Sequence, residues 1–212
     1  MAKINIPGTE EFLVKYPLMV IKPSDSLSSI TLGGTFNFDA KWSNQEINDS
    51  YELQINIPLK FPKELPNVIE TGKRIPRDGK HHVNPNGDLC YGTPLRMLKI
   101  LSEEPTLCGF AEKCLIPYLY SMSIKLKYGG DLPFGEVGHG KPGALNDYAD
   151  LFGLKTSEQA QNALKLLSMK KRGANKKQCP CGCGNRLGKC VFHNKINEYR
   201  NLADRKWFES QL

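Results

Sequence analysis

The sequence predicts an α+β fold in which an antiparallel β-meander packs against helices, followed by a small C-terminal module of different character. Three observations carry this expectation. Apolar residues alternate with period two over residues 28–42 and 51–57, they recur at helical spacing after Thr106, and cysteines crowd near the C-terminus. A chain of 212 residues accommodates one core of about 150 residues and a smaller appendage. The expected division is therefore a main domain over 1–153, a connecting helix over 154–173 and a basic tail over 174–212. A hydrophobic fraction of 40% and a charged fraction of 24% are ordinary for globular proteins, and no window approaches the roughly 18 apolar residues of a membrane span. The opening MAKINIPGTEEF lacks the charged-then-apolar build of a secretory leader, so the expected location is cytoplasmic, with no membrane contact.

In chain order, Ile30, Leu32, Phe36, Phe38, Ala40 and Trp42 predict a strand with one buried face, bent or bulged at Gly33-Gly34. Tyr51, Leu53, Ile55 and Ile57 predict its antiparallel partner, with the polar stretch Ser43 to Ser50 as the turn. Pro58, Pro62 and Pro66 interrupt regular structure before a short third strand at Val68-Ile69. Residues His81 to Pro94 are rich in Asn, Pro and Gly and read as an irregular loop. Thr106 caps a helix carrying Phe110, Cys114, Leu115, Tyr118, Leu119, Met122 and Leu126, which Gly129-Gly130 ends and Pro117 kinks or breaks. A glycine-rich link from Gly135 to Gly143 leads to a short helix around Asn146 to Phe152. A second capped helix runs from Thr156 or Ser157 towards Gly173.

Cys90 is the candidate nucleophile. It lies in the polar loop beside Asn86-Gly87-Asp88, whereas Cys108 and Cys114 fall on the helix and read as core. The order of features from Tyr51 to Cys90, YELQINIPLKFPKELPNVIETGKRIPRDGKHHVNPNGDLC, resembles the ubiquitin-conjugating enzymes: an alternating strand ending in a proline turn, a proline-led strand, then a His/Asn loop with an Asn-Gly turn before the cysteine. The resemblance spans about residues 25–130 and is nearest to bacterial members found in anti-phage systems of the cyclic-oligonucleotide type (CBASS) and related conjugation operons. The segment GGDLPFGEVGHGKPGALNDYADLFG is also similar to these bacterial forms. The resemblance implies a UBC-like fold and an acyltransferase that carries an acyl group as a thioester on Cys90, since a thiolate is a good nucleophile and a thioester keeps the carbonyl activated. It implies Asn84 as the amide that stabilises the oxyanion, although the family's His-Pro-Asn is here His82-Val83-Asn84, with Pro85 one residue later. His82 organises the loop or serves as base, and His139 in Gly-His-Gly is a candidate contact to the site.

The tail carries the second chemical signal. Cys179, Cys181 and Cys190 with His193 supply three thiolates and an imidazole, a donor set suited to tetrahedral zinc, with Cys183 as the alternative fourth ligand. Gly182, Gly184 and Gly188 allow tight ligand turns. The run CPCGCGNRLGKC resembles the short zinc motif at the C-terminus of the SecA translocase, which places Cys or His where this chain has Val191. Such a closed site is structural and orders a tail too small for its own core. Residues 170–212 hold 11 Lys/Arg against 3 Asp/Glu, with Tyr199, Trp207 and Phe208 interleaved, a face suited to a protein partner or to nucleic acid.

The expected function is transfer of the C-terminus of a ubiquitin-like protein, or of a protein used like one such as a cyclic-nucleotide synthase (a nucleotidyltransferase), from Cys90 to an amine or other nucleophile. No glycine-rich nucleotide loop is present, so activation falls to a separate activating enzyme or is bypassed. Two alternatives stay open: a non-catalytic adaptor that binds a ubiquitin-like protein, and a cysteine hydrolase using His82 or His139 as base.

Overall fold

The computed structural model describes residues 6–23, 28–133, 138 and 140–212. Its regular elements, in chain order, are α1 (Thr9–Lys15), β1 (Met19–Lys22), β2 (Ser29–Trp42), β3 (Gln45–Pro58), β4 (Asn67–Glu70), α2 (Pro94–Leu101), α3 (Leu107–Phe110), a π turn (Ala111–Leu115), α4 (Ile116–Tyr128), α5 (Gly140–Phe152), α6 (Ser157–Ser168), α7 (Lys171–Ala174), α8 (Phe192–Tyr199) and α9 (Arg205–Ser210). The chain divides into two compact units, Met1–Gly92 with Ile100–Glu136, and Thr93–Lys99 with Val137–Leu212. Among the described residues no helix is long and apolar enough to cross a membrane.

The first unit is α+β. Its four strands form an antiparallel meander in the order β1-β2-β3-β4. The β2–β3 hairpin is longer than the alternation suggested, because Trp42 pairs with Gln45 across a two-residue turn, Ser43-Asn44, with Ser43 at φ 48°. Left-handed φ at the turn is what a two-residue hairpin loop requires. The expected turn over Ser43 to Ser50 is therefore corrected. Beyond the core the strands carry polar residues, and the backbone ladder together with cross-strand pairs such as Asn48 with Asp39 holds them in register. Nor is there a bulge at Gly33-Gly34, where the β2–β3 register runs unbroken. Gly34 instead lets β1 close in: at φ 144° it pairs with Met19, and a Cβ there would lie 2.1 Å from the Leu18 carbonyl oxygen.

Alternate residues of the sheet bury Leu32, Phe36, Leu53, Ile55, Ile57 and Val68 on one face. Phe12 and Tyr16 bring α1 onto Phe36, with ring centroids 6.3 and 4.4 Å away. α4 packs on β2 and β3 and buries Leu119 and Met122. Thr106 caps the long helical segment as expected, its hydroxyl accepting from the Gly109 amide at 3.0 Å. Pro117 interrupts it by a π turn immediately upstream rather than by a break. A proline lacks the amide proton and crowds the carbonyl of the preceding turn, and one extra residue in the turn relieves both. Gly129 ends α4 at φ 73°.

The second unit is helical. α5 begins at Gly140, inside the expected glycine-rich link, and runs to Phe152. α6 is capped by Thr156, which accepts from the Gln159 amide at 3.2 Å, while Gln159 Oε1 accepts from the Lys155 amide at 2.8 Å. Residues 154–173 do not stand apart as a connector: α6 packs against α5, α8 and α9, burying Leu164, Leu167, Phe152, Ile196 and Phe208 with them. Its C-terminus is closed by Arg200, whose guanidinium donates to the carbonyls of Leu166, Leu167 and Met169 at 2.7, 3.2 and 2.9 Å. A cation on the orphan carbonyls both satisfies hydrogen bonds and opposes the helix dipole. Buried Asp147 on α5 accepts from the Thr93 hydroxyl and from Arg96 Nε at 2.7 Å, which fastens the start of α2.

Candidate active site and candidate metal centre

The loop between β4 and α2 is not irregular around Cys90; it folds into a small hairpin. The Cys90 amide donates to the His82 carbonyl at 2.7 Å, the Asn84 amide to the Asp88 carbonyl at 2.8 Å, and Gly87 closes the turn onto the Asn84 carbonyl at 2.8 Å. Val83 and Leu89 face each other across it and are both buried. The outer limb of this hairpin lies on the free edge of β4: Leu89 donates to the Val68 carbonyl at 2.8 Å and Asp88 stands opposite Ile69. Two apolar anchors and three strands of backbone hydrogen bonds thus hold the cysteine at a fixed place on the sheet edge.

The hairpin is approached through a short helical turn, Gly79–His81, capped by Asp78, whose carboxylate accepts from the His81 amide at 3.0 Å and pairs with His81 Nδ1 at 2.7 Å. α4 braces this turn. The Tyr118 hydroxyl donates to the His81 carbonyl at 2.9 Å and Lys125 Nζ to the Lys80 carbonyl at 2.7 Å. His82 is buried and sits in the left-handed region at φ 51°.

Cys90 is half-buried and its thiol is free of any disulfide. Burial pushes its pKa above the ordinary thiol value, and the Gly92 amide, which donates to the sulfur, pulls back against that. The protonated thiol therefore dominates at neutral pH. Cys114 is buried and pushed up to about 12 by desolvation, in keeping with a core thiol, whereas Cys108 on the same helix is only half-buried.

Of the expected site residues, His82 lies directly across the hairpin from Cys90, its carbonyl accepting the Cys90 amide. Asn84 is exposed at the hairpin turn, two rungs from Cys90, or about 7 Å along the ladder. The turn's side-chain contact is made instead by Asn86, whose Nδ2 donates to Asp88 Oδ2 at 2.6 Å. The shorter spacing between asparagine and cysteine is spent in closing a tight turn, which places Asn84 two rungs from the thiol. His139 lies outside the described residues.

In the second unit, residues 177–187 form another small hairpin: Leu187 donates to the Lys177 carbonyl and Cys179 to the Asn185 carbonyl, each at 2.8 Å, with Gly182 and Gly184 at φ 81° and 76° in the turn. It brings the sulfurs of Cys179, Cys181, Cys183 and Cys190 within 4.8 Å of one another. The Cys179–Cys181 and Cys181–Cys190 separations are 3.2 and 3.7 Å, against about 3.8 Å between thiolates on one tetrahedral zinc. Each sulfur also accepts an amide from two residues onward, Cys181, Cys183, Asn185 and Phe192 in turn. Amides aimed at sulfur favour the thiolate a metal needs. Burial pushes the Cys179 thiol up, while the Asn185 amide and neighbouring thiols bring exposed Cys183 down to about 7. This cluster could hold a metal ion, and Cys183 is its fourth donor. The expectation for His193 is corrected, since its ring nitrogens lie 3.3 and 3.1 Å from Asn197 Nδ2 on the next turn of α8. A Cys-x-Cys-x-Cys run folded at two glycines brings three sulfurs together, and with Cys190 they complete a four-donor set without the imidazole.

The chain matches no protein-family model and no curated protein sequence.

Proposed function

We propose that this chain is an acyl carrier of the ubiquitin-conjugating type, with Cys90 forming a thioester to the C-terminus of a ubiquitin-like protein, or of a nucleotidyltransferase used in the same manner, and passing it to an amine. The observation that carries the reading is the setting of Cys90: a half-buried thiol at the end of a hairpin fixed to the β4 edge, with an amide on its sulfur. An antiparallel meander packed with helices, followed by the cysteine after an Asn-Gly turn, supports the same reading, because this is what the resemblance to the UBC fold implies. Acyl exchange suits a protonated thiol held in place. The incoming thioester supplies the activated carbonyl, so the cysteine needs only to lose its proton as the bond forms.

The cysteine cluster is proposed to bind zinc as a structural ion, because four thiolates in tetrahedral reach leave no open position for chemistry. Zinc would then cross-link residues 179–190, which contribute few apolar side chains of their own. Full-length protein incubated with an activating enzyme and its ubiquitin-like donor should acquire an adduct that thiol reductants remove. Cys90→Ala should abolish it. An adduct retained in Cys90→Ala, or sustained amide hydrolysis in the absence of any activating enzyme, would sink the acyl-carrier reading.

A further inference from the structure

The second unit carries a charged surface that neither the thiol nor the cysteine cluster accounts for. Between Gln159 and Asn197 the chain holds nine Lys/Arg and no Asp or Glu. Six of the nine come from one compact stretch: Lys171 and Arg172 on α7, Lys176 and Lys177 leading into the cysteine hairpin, Arg186 on its return limb and Lys189 just beyond it. Backbone hydrogen bonds fold this stretch on itself. The Lys176 and Lys177 amides donate to the Gly173 and Ala174 carbonyls at 3.1 and 3.0 Å, which joins the hairpin to α7. The Gly188 amide donates to the Asn175 carbonyl at 3.1 Å, and Gln178 stands opposite Arg186. Limbs so paired lie about 4.8 Å apart, so cations from both share one small surface. All six are exposed, and among the described residues none of them forms an ion pair.

Like charges gathered on a folded surface repel, and that cost is relieved by a counter-charge. The cysteine cluster supplies part of one. Four thiolates on a single zinc ion would leave two negative charges, enough to offset two of the nine cations and no more. Docking on lipid, or of an acidic peptide, draws on apolar anchors as well as charge. Val191 is the only large apolar side chain of this unit that stands exposed among the described residues. Binding of single-stranded nucleic acid draws on aromatic platforms, whereas Tyr199 and Phe208 are buried and Phe192 and Trp207 half-buried. A duplex backbone needs neither anchor nor platform. It presents one negative charge per about 1.7 Å of axis to cations held on a fixed surface.

We infer that the surface formed by α7 and the cysteine hairpin binds the phosphate backbone of double-stranded nucleic acid, through Lys176, Lys177, Arg186 and Lys189 with Lys171 and Arg172 beside them. The site is independent of the acyl-carrier reading and involves no covalent step. Contacts run to phosphate oxygens, so binding is insensitive to base sequence and falls steeply with salt. The cysteine cluster joins the two limbs and fixes the spacing of the cations they carry, so a metal that orders the hairpin also builds the site.

The test uses the zinc-loaded full chain and a fluorescein-labelled DNA duplex of mixed sequence, with binding read by anisotropy. Neutralising four phosphates gives a slope of about −3.6 in log affinity against log salt, a loss of about 150-fold between roughly 50 and 200 mM. Lys176→Gln, Lys177→Gln, Arg186→Gln and Lys189→Gln made together should weaken binding about 100-fold or more at the lower salt and flatten the slope, with bound zinc unchanged. Lys41→Gln, Lys63→Gln, Arg77→Gln and Lys127→Gln made together take the same charge from exposed positions of the first unit; they should leave the affinity within about threefold of the wild type. If the fourfold hairpin variant loses zinc, Lys176→Gln and Lys189→Gln made singly decide, each expected to reduce the steepness of the slope by about 0.9. An RNA duplex is titrated in parallel, and binding of either duplex supports the site, the tighter one naming its source. The inference is overturned if the wild type binds neither duplex more tightly than about 100 μM at the lower salt. Equal losses in the two fourfold variants, an unchanged slope in both single variants, or tighter binding of single strands, phosphatidylserine vesicles or polyglutamate than of duplex would overturn it as well.

Discussion

The two units of this protein solve the same problem with different materials. The first, with 13 Lys/Arg against 16 Asp/Glu, rests on a sheet face of large apolar residues, Leu32, Phe36, Leu53, Ile55 and Ile57, each buried almost completely. The second, with 16 Lys/Arg against 6 Asp/Glu, packs short helices through alanines and a few large side chains, and adds an arginine cap and a four-cysteine cluster. Burying a Leu or Phe side chain is worth roughly 1.5–3 kcal/mol, so the first unit accumulates stability from many similar contacts. In the second, like charges repel and fewer apolar groups are available, so individual polar links, together with the metal the cysteines could hold, carry more of the total.

The largest expected effect separates the units outright. Removing metal with a chelator, or Cys179→Ser, should withdraw on the order of 10 kcal/mol of apparent stabilisation from the cysteine hairpin. Hydrogen-exchange protection should vanish over residues 177–190 and persist in β2 and β3. Equal loss in both units would show that they are not energetically distinct. A smaller effect belongs to Arg200→Ala, which leaves three carbonyls at the end of α6 without their donor and should cost about 2–3 kcal/mol of second-unit stability in a denaturant titration. Arg200→Lys should recover only part of it, because one ammonium replaces a planar fork. A neutral result would shift the burden entirely to the metal.

The smallest effect sharpens the contrast between the two sets of thiols. Since burial raises the Cys90 pKa, the thiolate fraction at neutral pH is below that of a solvent-exposed cysteine. Its iodoacetamide rate should therefore keep rising with pH through the ordinary thiol range, and its inflection should fall above the value of about 8.5 typical of free cysteine. Peptide-resolved mass spectrometry reads this site alone. An inflection below 8.5 would mean that the Gly92 amide outweighs desolvation.

Much of the fold is legible along the chain. Period-two alternation in Phe36-Phe38 and in Leu53-Ile55-Ile57 marks β2 and β3, and Thr106, Thr156 and Gly129 mark helix ends, because one-sided burial and capping act over a few residues. Short elements left weaker marks. α1, β1, α2, α8 and α9 have few turns or rungs over which a period can show, and they are held by packing instead. The cluster of Cys179, Cys181 and Cys190 was legible as a donor set, but the choice of Cys183 over His193 depended on how the hairpin folds at Gly182 and Gly184.

Sequence alone determined that there is an α+β sheet unit, that Cys90 lies in a polar segment after it, and that the C-terminal cysteines form a donor set that could hold a metal ion; residue type and local spacing suffice for each. Tertiary structure decided which residues stand beside the thiol. Asn84, six positions before Cys90 in sequence, stands two rungs away across a tight turn, while Val68, far back on β4, accepts a hydrogen bond from Leu89 next to the thiol. Register is a pairing between distant segments, set by which apolar residues reach the core together, and no local pattern records it.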